Sequence, residues 1–320
     1  MKLPSLSELE DAACVAHAVV APTPQICWPM LSERCAAEVW VKHENHLPTG
    51  AFKVRGGAVY AEDLARHAPA PTTVVAATRG NHGQSVAYAA RRLGLKATIV
   101  VPLGNSASNN AAMCAYGAEL VEHGHDFQAA LEHARSLASD RGCHFFPSFH
   151  PLLVRGVASY AMELFAAVPD LDTVYVPIGL GSGICGVIAA REAMRRRTRI
   201  AGVVSQSAPA YALSFAARRP VATETADTIA DGVACRVPEP DAVEVINRHA
   251  ERIVAVSDDE VKRAMAYYFS DTHNVAEGAG AAPLAALLKE RDSMRGKRIA
   301  LILSGGNVDR ELYRDVLSSQ

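Results

Sequence analysis

The sequence predicts an α/β protein with parallel β-sheets, and two observations lead to that prediction. First, short apolar runs rich in β-branched residues alternate with helical segments from residue 73 onwards, which is typical of βαβ units. Second, three glycine-rich turns, at 78–85, 177–186 and 303–307, directly follow apolar runs. Parallel strands end at such turns, and ligands of open α/β folds bind there. The chain of 320 residues is long enough for two lobes.

The N-terminal segment and the first block of alternating elements come before residue 150. The segment 1–17 has acidic residues in its first turns and predicts a helix. In the block that follows, the predicted strands are 73–78, 96–102, 118–124 and 144–149, and the predicted helices are 85–94, 109–118 and 127–142.

A second block begins after residue 155. It contains a helix at 157–168, a strand at 172–179, a helix at 186–197, a strand at 199–206, helices that start at Asp258 and Glu277, and a strongly apolar strand at 297–306. The segment 218–240 has Pro, Thr and Asp but little periodicity, and it predicts a loop. Two sheets accommodate these strands more easily than one.

Composition excludes several classes of partner. The formal net charge of −2 provides no electrostatic reason to expect nucleic acid or an anionic membrane surface. No run reaches the roughly 18 apolar residues that a membrane span needs, and the N-terminus does not look like a signal peptide. The seven cysteines are odd in number and include no CxxC pair, which fits a reducing cytoplasm. We therefore expect a cytoplasmic protein that binds a small molecule.

The turn "GLGSGICG" predicts an anion site. It follows an apolar run and opens a helix, so that backbone N–H groups with few side chains around them can surround a phosphate. Gly181, Gly183 and Gly186 also match the dinucleotide pattern GxGxxG. However, no acidic residue follows at the interval of about 20 residues that a dinucleotide site requires. A lone phosphate is therefore the first interpretation and a dinucleotide the second.

The decapeptide "PTGAFKVRGG" places Lys53 between apolar residues and glycines. Lysine is seldom buried unless a partner or a function requires it. Pyridoxal 5'-phosphate needs a lysine for its Schiff base, an anion site for its phosphate and a partner for its pyridine nitrogen. Burial lowers the pKa of such a lysine and favours the neutral amine. Lys53 is thus predicted to be a covalent cofactor anchor; the alternative is a lysine that packs its stem at a strand edge.

Five segments together resemble a known family. "KHENHLPTGAFKVRGG", "TRGNHGQSVAYAARRLG", "PIGLGSGICG", "TIADGVA" and "LSGGN" are similar, in that order, to threonine dehydratase-like enzymes, the fold-type-II pyridoxal-phosphate enzymes that include serine racemase. Within the family, "TRGNHGQS" and "HPLLVRGVASYAMELF" most resemble the hydroxyectoine-utilisation dehydratase branch. The resemblance implies a tryptophan synthase β-like fold of two lobes, each with a mainly parallel sheet flanked by helices. The large cofactor-binding domain would take residues 1–70 and 150–320, and the small domain residues 71–149.

The resemblance also implies roles for individual residues. Lys53 would anchor the cofactor and serve as the catalytic base. Asn81 would bind the 3'-oxygen of the cofactor, and Ser304 would face its pyridine nitrogen. The full set of cofactor-binding residues is Phe52, Lys53, Asn81, Gly179, Gly181, Ser182, Gly183, Ile184 and Ser304, and the substrate-binding residues are Thr78, Arg79, Gly80, Asn81 and His82.

The activity that the resemblance implies is dehydration and deamination of a 3-hydroxy amino acid such as threonine, serine or phenylserine, giving a 2-oxo acid and ammonia in amino-acid catabolism. A hydroxyectoine-derived hydroxy amino acid, 3-hydroxyaspartate and a serine racemase-like reaction are the alternatives, together with a non-catalytic relative. Relatives are often dimers, so a homodimer is expected.

Departures from the family pattern refine these expectations. Arg79 stands where racemases place a serine base; arginine stays protonated, so racemisation is disfavoured. Val204 and Ala210 stand where some relatives have metal ligands, which predicts that this chain has no metal site. Arg79 and Arg155 would each bind a second acidic group of the substrate, brace the lobes or remain solvated. Glu277 is either a group beside the cofactor ring or an ordinary acid at a helix N-terminus.

Overall fold

A computed structural model of the chain describes residues 1–67, 69 and 71–319. Its strands are β1 (Gln25–Cys27), β2 (Glu38–His43), β3 (Thr73–Ala77), β4 (Lys96–Val101), β5 (Glu119–Glu122), β6 (His144–Phe145), β7 (Thr173–Pro177), β8 (Arg199–Ser205), β9 (Arg252–Val256) and β10 (Arg298–Leu303). Its helices are α1 (Leu6–His17), α2 (Pro29–Cys35), α3 (Lys53–Arg66), α4 (Asn81–Arg92), α5 (Ala107–Ala115), α6 (Phe127–Asp140), α7 (Pro151–Ala167), α8 (Ser182–Ala193), α9 (Ala210–Ala217), α10 (Pro240–His249), α11 (Asp258–Thr272), α12 (Gly278–Lys289), α13 (Arg291–Met294) and α14 (Arg310–Ser318).

The strands form two sheets. One has six strands in the order β1-β2-β10-β7-β8-β9, and every pair is parallel except the edge pair β1 and β2. The other has four parallel strands in the order β5-β4-β3-β6. The central strands β7 and β10 are almost wholly buried, as expected of parallel strands covered by helices on both faces. The predicted fold class, with two mainly parallel sheets, is confirmed.

All four strands of the smaller sheet come from residues 73–145. The predicted division into a large domain of 1–70 and 150–320 and a small domain of 71–149 remains a prediction. Its first boundary, at residue 70, lies outside the described residues. Among the described residues, no helix is both long enough and apolar enough to cross a membrane.

Several helices begin earlier than their periodicity predicts. Helix α7 begins at Pro151 instead of residue 157, and α8 begins at Ser182 instead of residue 186. In both, glycine within the first turns permits close packing. A Cβ on Gly156 would lie 2.5 Å from the carbonyl oxygen of Arg55 in α3, and one on Gly186 would lie 3.0 Å from the backbone nitrogen of Ala158 in α7. These glycines are therefore helical because of tertiary contacts, although glycine alone weakens a helix.

The sequence analysis missed the strands β1, β2 and β9 and the helices α2, α3, α9, α10, α13 and α14. Strand β2 shows why: its segment "EVWVKH" ends in two polar residues, Lys42 and His43, yet both are fully buried. Lys42 is tolerated there because its ammonium group donates to Glu163 at 2.5 Å and to the carbonyl oxygen of Thr23 at 2.7 Å. Pairing of this kind cannot be read from local hydrophobicity.

A buried ionic network holds α3 in place. Arg55, two residues after Lys53, is fully buried, and its guanidinium donates to Glu44 at 2.7 Å and to Glu163 at 2.6 Å. Glu163 lies in α7 and also accepts from Lys42 of β2. Burial alone would raise the pKa of Glu163, but Arg55 and Lys42 hold it below its usual value. The network thus ties the first turn of α3 to β2 and α7.

Removing one charge of this network should be costly, because the opposite charge is then left buried without its full compensation. We predict that Glu44→Gln lowers the free energy of unfolding by roughly 3–5 kcal/mol in a urea titration. The matched control is Glu62→Gln, which removes the partner of Arg66 on the exposed side of the same helix; it should change stability by less than about 1 kcal/mol. Equal effects of the two variants would contradict this account of the network.

Candidate functional site

A cavity of about 870 Å³ lies where strands of both sheets end. Thr78 follows β3, Gly179 comes two residues after β7, and Ser304 follows β10. Every residue predicted for the site lines the cavity except Ile184, whose side chain is buried in the core. The predicted lining residues are Phe52, Lys53, Thr78, Arg79, Gly80, Asn81, His82, Gly179, Gly181, Ser182, Gly183 and Ser304. Residues far apart in the sequence therefore meet at one place.

The turn before α8 forms an anion cradle. The first amide of this helix with a backbone acceptor is that of Cys185, which donates to the carbonyl oxygen of Gly181 at 3.0 Å. Among the described residues, the N–H groups of Ser182, Gly183 and Ile184 have no backbone acceptor. These are the free donors that a helix N-terminus offers to a phosphate. Only the backbone of Ile184 is needed for this role, so its buried side chain does not prevent it.

Glycine is required in the cradle for two different reasons. Gly181 has φ +102°, a left-handed conformation, and a Cβ there would lie 2.5 Å from Cβ of Ala242. A Cβ on Gly179 would lie 2.3 Å from the carbonyl oxygen of Gly232. Any side chain at either position would push the cradle away from the segment packed behind it.

Lys53 is the first residue of α3, and its amine faces the cradle. Nζ lies 3.3 Å from Oγ of Ser182 and 4.9 Å from the centroid of the Phe52 ring. Burial lowers the pKa of Lys53 to about 8, although the negative charge of Glu277 opposes the shift. A large fraction of the amine is therefore neutral in mildly alkaline solution, which is the nucleophilic form.

The turn between β3 and α4 is organised by Thr78. Its buried hydroxyl oxygen accepts from the N–H of Gly80 at 2.9 Å and from the N–H of Gly83 at 3.2 Å. Helix α4 then begins at Asn81, and the N–H groups of Asn81 and His82 have no backbone acceptor among the described residues. A second set of free helix N-terminal donors thus faces the same cavity.

His82 is buried, and its Nε2 has no hydrogen-bond partner among the described residues. Burial, aided by the nearby charge of Lys53, lowers the pKa of His82 to about 3. The imidazole is therefore neutral at physiological pH. A buried ring nitrogen without a partner is rare in folded proteins and is commonly satisfied by a ligand or water.

The side chains of Asn81, Glu277 and Asn307 form a hydrogen-bonded chain along the cavity. Asn81 Nδ2 lies 2.8 and 3.1 Å from the two carboxyl oxygens of Glu277, and Asn81 Oδ1 accepts from Asn307 Nδ2 at 2.8 Å. Burial raises the pKa of Glu277 to about 7. Glu277 is the N-cap residue of α12, yet it makes no capping hydrogen bond through its side chain. Asn307 was missed as a site residue, although it ends the segment "LSGGN".

The two singled-out arginines have different positions. Arg79 lies at the cavity, and its guanidinium is 3.0 Å from Asp231, with both side chains partly exposed. Arg155 lies outside the cavity on α7 and pairs with Glu8 of α1 at 2.6 Å. The suggestion that Arg155 binds an acidic group of the substrate is therefore wrong, because its guanidinium already pairs with α1.

Comparison with known proteins identifies what such a cavity holds. A model of the family described as pyridoxal-phosphate dependent enzyme matches residues 17–305. The L-threonine ammonia-lyase of Thermotoga maritima is 33% identical over 306 residues, which cover 95% of this chain and 76% of the relative. The L-threo-3-hydroxyaspartate ammonia-lyase of Saccharomyces cerevisiae is 30% identical over 321 residues, which cover 100% of this chain and 98% of the relative.

Solved structures show the same fold. A pyridoxal 5'-phosphate-dependent aspartate racemase has a TM-score of 0.91 at 27% identity, covering 96% of this chain and 97% of that one. The processed form of threonine deaminase isoform 2 from Solanum lycopersicum has a TM-score of 0.88 at 26% identity, covering 98% and 94%. The resemblance that the five segments carry is confirmed. The cradle of α8, the amine of Lys53 and the orphaned nitrogen of His82 fit a phosphorylated aldehyde cofactor.

Attachment of the cofactor should depend on Lys53 and on its protonation. We predict that borohydride reduction fixes pyridoxal phosphate covalently to the wild type, and that the loading rate rises with pH through a midpoint near 8, since only the neutral amine attacks the aldehyde. Mass spectrometry measures the adduct. Lys53→Ala should carry no adduct at this site, whereas the surface variant Lys289→Ala should be labelled like the wild type. Undiminished one-to-one labelling of Lys53→Ala would contradict the assignment.

Gly181→Ala tests the cradle. The added methyl group meets Ala242 and the residue keeps an unfavourable positive φ, so cofactor affinity in equilibrium dialysis should fall about tenfold or more. Gly296→Ala is the control: its φ of +73° is also left-handed, but a Cβ there meets no atom within 4 Å. It should lose some stability and keep its affinity. A similar affinity loss in both variants would show that strain alone, rather than the cradle, is responsible.

Proposed function

Because the chain belongs to the family of pyridoxal-phosphate dependent enzymes, we propose that it is a dehydratase, an ammonia-lyase that converts a 3-hydroxy amino acid to a 2-oxo acid and ammonia. The observation that carries the proposal is the amine of Lys53 beside the phosphate cradle, 3.3 Å from Ser182, in the cavity that the α4 N-terminus also faces. The activities for which the two relatives are named, ammonia loss from L-threonine and from L-threo-3-hydroxyaspartate, support the same reaction class.

Different groups of the cavity bind the substrate and move its proton. When bound, pyridoxal phosphate supplies an electron sink for the bonds at Cα of an amino acid. Lys53 takes the Cα proton, since burial keeps much of its amine in the neutral form near pH 8. The free N–H groups of Asn81 and His82 at the start of α4 hold the carboxylate of the substrate. The carboxylate is thereby placed on the side of the cavity that faces Lys53.

Ser304 directs the outcome toward elimination. It is buried at the end of β10, and its carbonyl oxygen accepts from the N–H of Phe52 at 3.0 Å, so the hydroxyl group is held by a rigid strand end. A hydroxyl group opposite a pyridine nitrogen does not require that nitrogen to be protonated, as a carboxylate would. A cofactor bound beside this hydroxyl group would supply a weaker electron sink, and a weaker sink would favour loss of the β-hydroxyl group.

Racemisation is the less favoured alternative. Arg79 occupies the position expected for a second base, and it is paired with Asp231 and stays protonated. Because Asp231 already compensates the charge of Arg79, 3-hydroxyaspartate gains no specific support from this arginine. A hydroxyectoine-derived substrate, a role in amino-acid catabolism, a cytoplasmic location and a homodimer stay predictions.

The test is release of ammonia and 2-oxo acid from L-threonine, L-serine, L-threo-3-phenylserine and L-threo-3-hydroxyaspartate. We expect turnover of at least one of them by the wild type and by Lys289→Ala, and none by Lys53→Ala. A cofactor-loaded wild type that releases neither product from any of the four would refute the proposal. Exchange of the Cα hydrogen with solvent, without ammonia release, would instead favour the racemase alternative.

A further inference from the structure

The side-chain amide of Asn81 is fixed at both ends. Its oxygen accepts from Asn307, and its nitrogen faces both carboxyl oxygens of Glu277 at 2.8 and 3.1 Å. An asparagine that accepts on one side and donates on the other cannot turn over without breaking both sets of hydrogen bonds. The NH₂ group is therefore directed to Glu277.

Asn307 is itself locked by the segment that leads into Lys53. Its Nδ2 also donates to the carbonyl oxygen of Thr49 at 2.8 Å. The next residue, Gly50, has φ +65°, and a Cβ there would lie 2.4 Å from Oδ1 of Asn307. The amide of Asn307 thus occupies a space that only a glycine at position 50 leaves open. Because Asn307 donates to Asn81, this turn also determines the orientation of the Asn81 amide.

Glu277 is a buried carboxyl group whose surroundings only partly favour its charge. The charged groups that act on it are Lys53 on α3 and Asp231 on the loop opposite, and the latter is turned toward Arg79. Burial and Asp231 disfavour the carboxylate, while the hydrogen bonds from the side chain of Asn81 and the backbone of Asn307, together with the charge of Lys53, favour it. Since burial is the largest influence and the pKa rises to about 7, the group binds and releases a proton near neutral pH.

We propose that Glu277 is a positioning residue of the cofactor pocket that also stores a proton there, and that Glu277 and Asn307 together determine which donor Asn81 offers to the cofactor. The proposal rests on cofactor binding in this cavity, with Asn81 beside the cofactor. As a carboxylate, Glu277 accepts from Asn81 with both oxygens. As a carboxylic acid it has one oxygen that donates, so it holds the Asn81 amide through its remaining acceptor oxygen and more weakly.

The direction of the pH dependence follows from the raised pKa. Below about pH 7, Glu277 is mainly protonated and holds the Asn81 amide through one acceptor oxygen; above it, Glu277 is charged and accepts from Asn81 with both oxygens. The electronic state of a bound cofactor should change with this exchange. Glutamine at position 277 cannot ionise and resembles the protonated form in shape and in hydrogen bonding.

The experiment follows the visible absorbance of the bound cofactor against pH, without substrate. We expect the wild type to change its spectrum with a midpoint near pH 7, and Glu277→Gln to keep the acid-form spectrum throughout that range. An identical transition in both proteins, or no transition in the wild type, would overturn the proposal, because the proton would then reside elsewhere. Because no substrate is present, failure of the dehydratase reaction does not affect this result.

Two further variants distinguish titration of Glu277 from a general effect on the structure of the pocket. Glu239→Gln makes the same chemical change at another carboxyl group of the cavity. Burial also raises the pKa of Glu239, but this residue has no hydrogen bond to Asn81. The variant should keep the wild-type midpoint, and loss of the transition would contradict the assignment.

Asn307→Ala should weaken cofactor binding several-fold, since the side chain of Asn81 can then turn. Unchanged affinity for the cofactor would contradict the positioning role. If Glu277→Gln takes up no cofactor, Glu277→Asp replaces it: a shifted midpoint supports the proposal, and an unshifted one overturns it.

Discussion

The rest of the site depends on one constraint, the burial of the Lys53 amine in a cavity between two sheets. A charged ammonium group is poorly solvated there, and its pKa falls to about 8. The two groups in contact with Nζ, the hydroxyl group of Ser182 and the aromatic ring of Phe52, carry no negative charge that would fully compensate an ammonium group. A carboxylate in direct contact with Nζ would stabilise the charge and remove the nucleophile. Glu277 opposes the shift but does not cancel it.

The position of such an amine has to be stabilised by contacts of the neighbouring residues in α3 and in the segment before it. The helix that begins at Lys53 is tied down two residues later by the fully buried Arg55, through its ion pairs with the buried Glu44 and the largely buried Glu163. On the other side, Phe52 bonds to Ser304, and Ala51 pairs with Gly305 in an isolated bridge. The ion pairs of Arg55 therefore stabilise α3 on the side away from the cavity, while the weakly solvated amine of Lys53 lies on the cavity side.

Lys53 and Glu277 both line the cavity, and burial shifts the pKa of each toward neutral pH. Burial lowers the pKa of the base Lys53 and raises that of the acid Glu277, so that the two values approach one another. Environments of this kind mark sites of proton transfer more often than sites of purely structural importance. In the proposed roles, Lys53 is the base and Glu277 stores a proton, and the side-chain nitrogen of Asn81 bonds to Glu277.

Much of this protein was determined by the sequence alone. Alternating apolar runs and helices indicate two parallel sheets, and the glycine turns at 78–85, 177–186 and 303–307 indicate which strand ends meet. The lysine motif and the phosphate turn identify the cofactor, because these residue types are required locally. The tertiary structure decided what depends on contacts between distant segments: the buried strand with Lys42, the pairing of Arg155 with Glu8 outside the cavity, and the contacts of Asn307 with Thr49 and Asn81. The sequence left Glu277 open as either a group beside the cofactor ring or an ordinary acid at a helix N-terminus, because its pKa is set by burial and by contacts such as that with Asn81, 196 residues away in the chain.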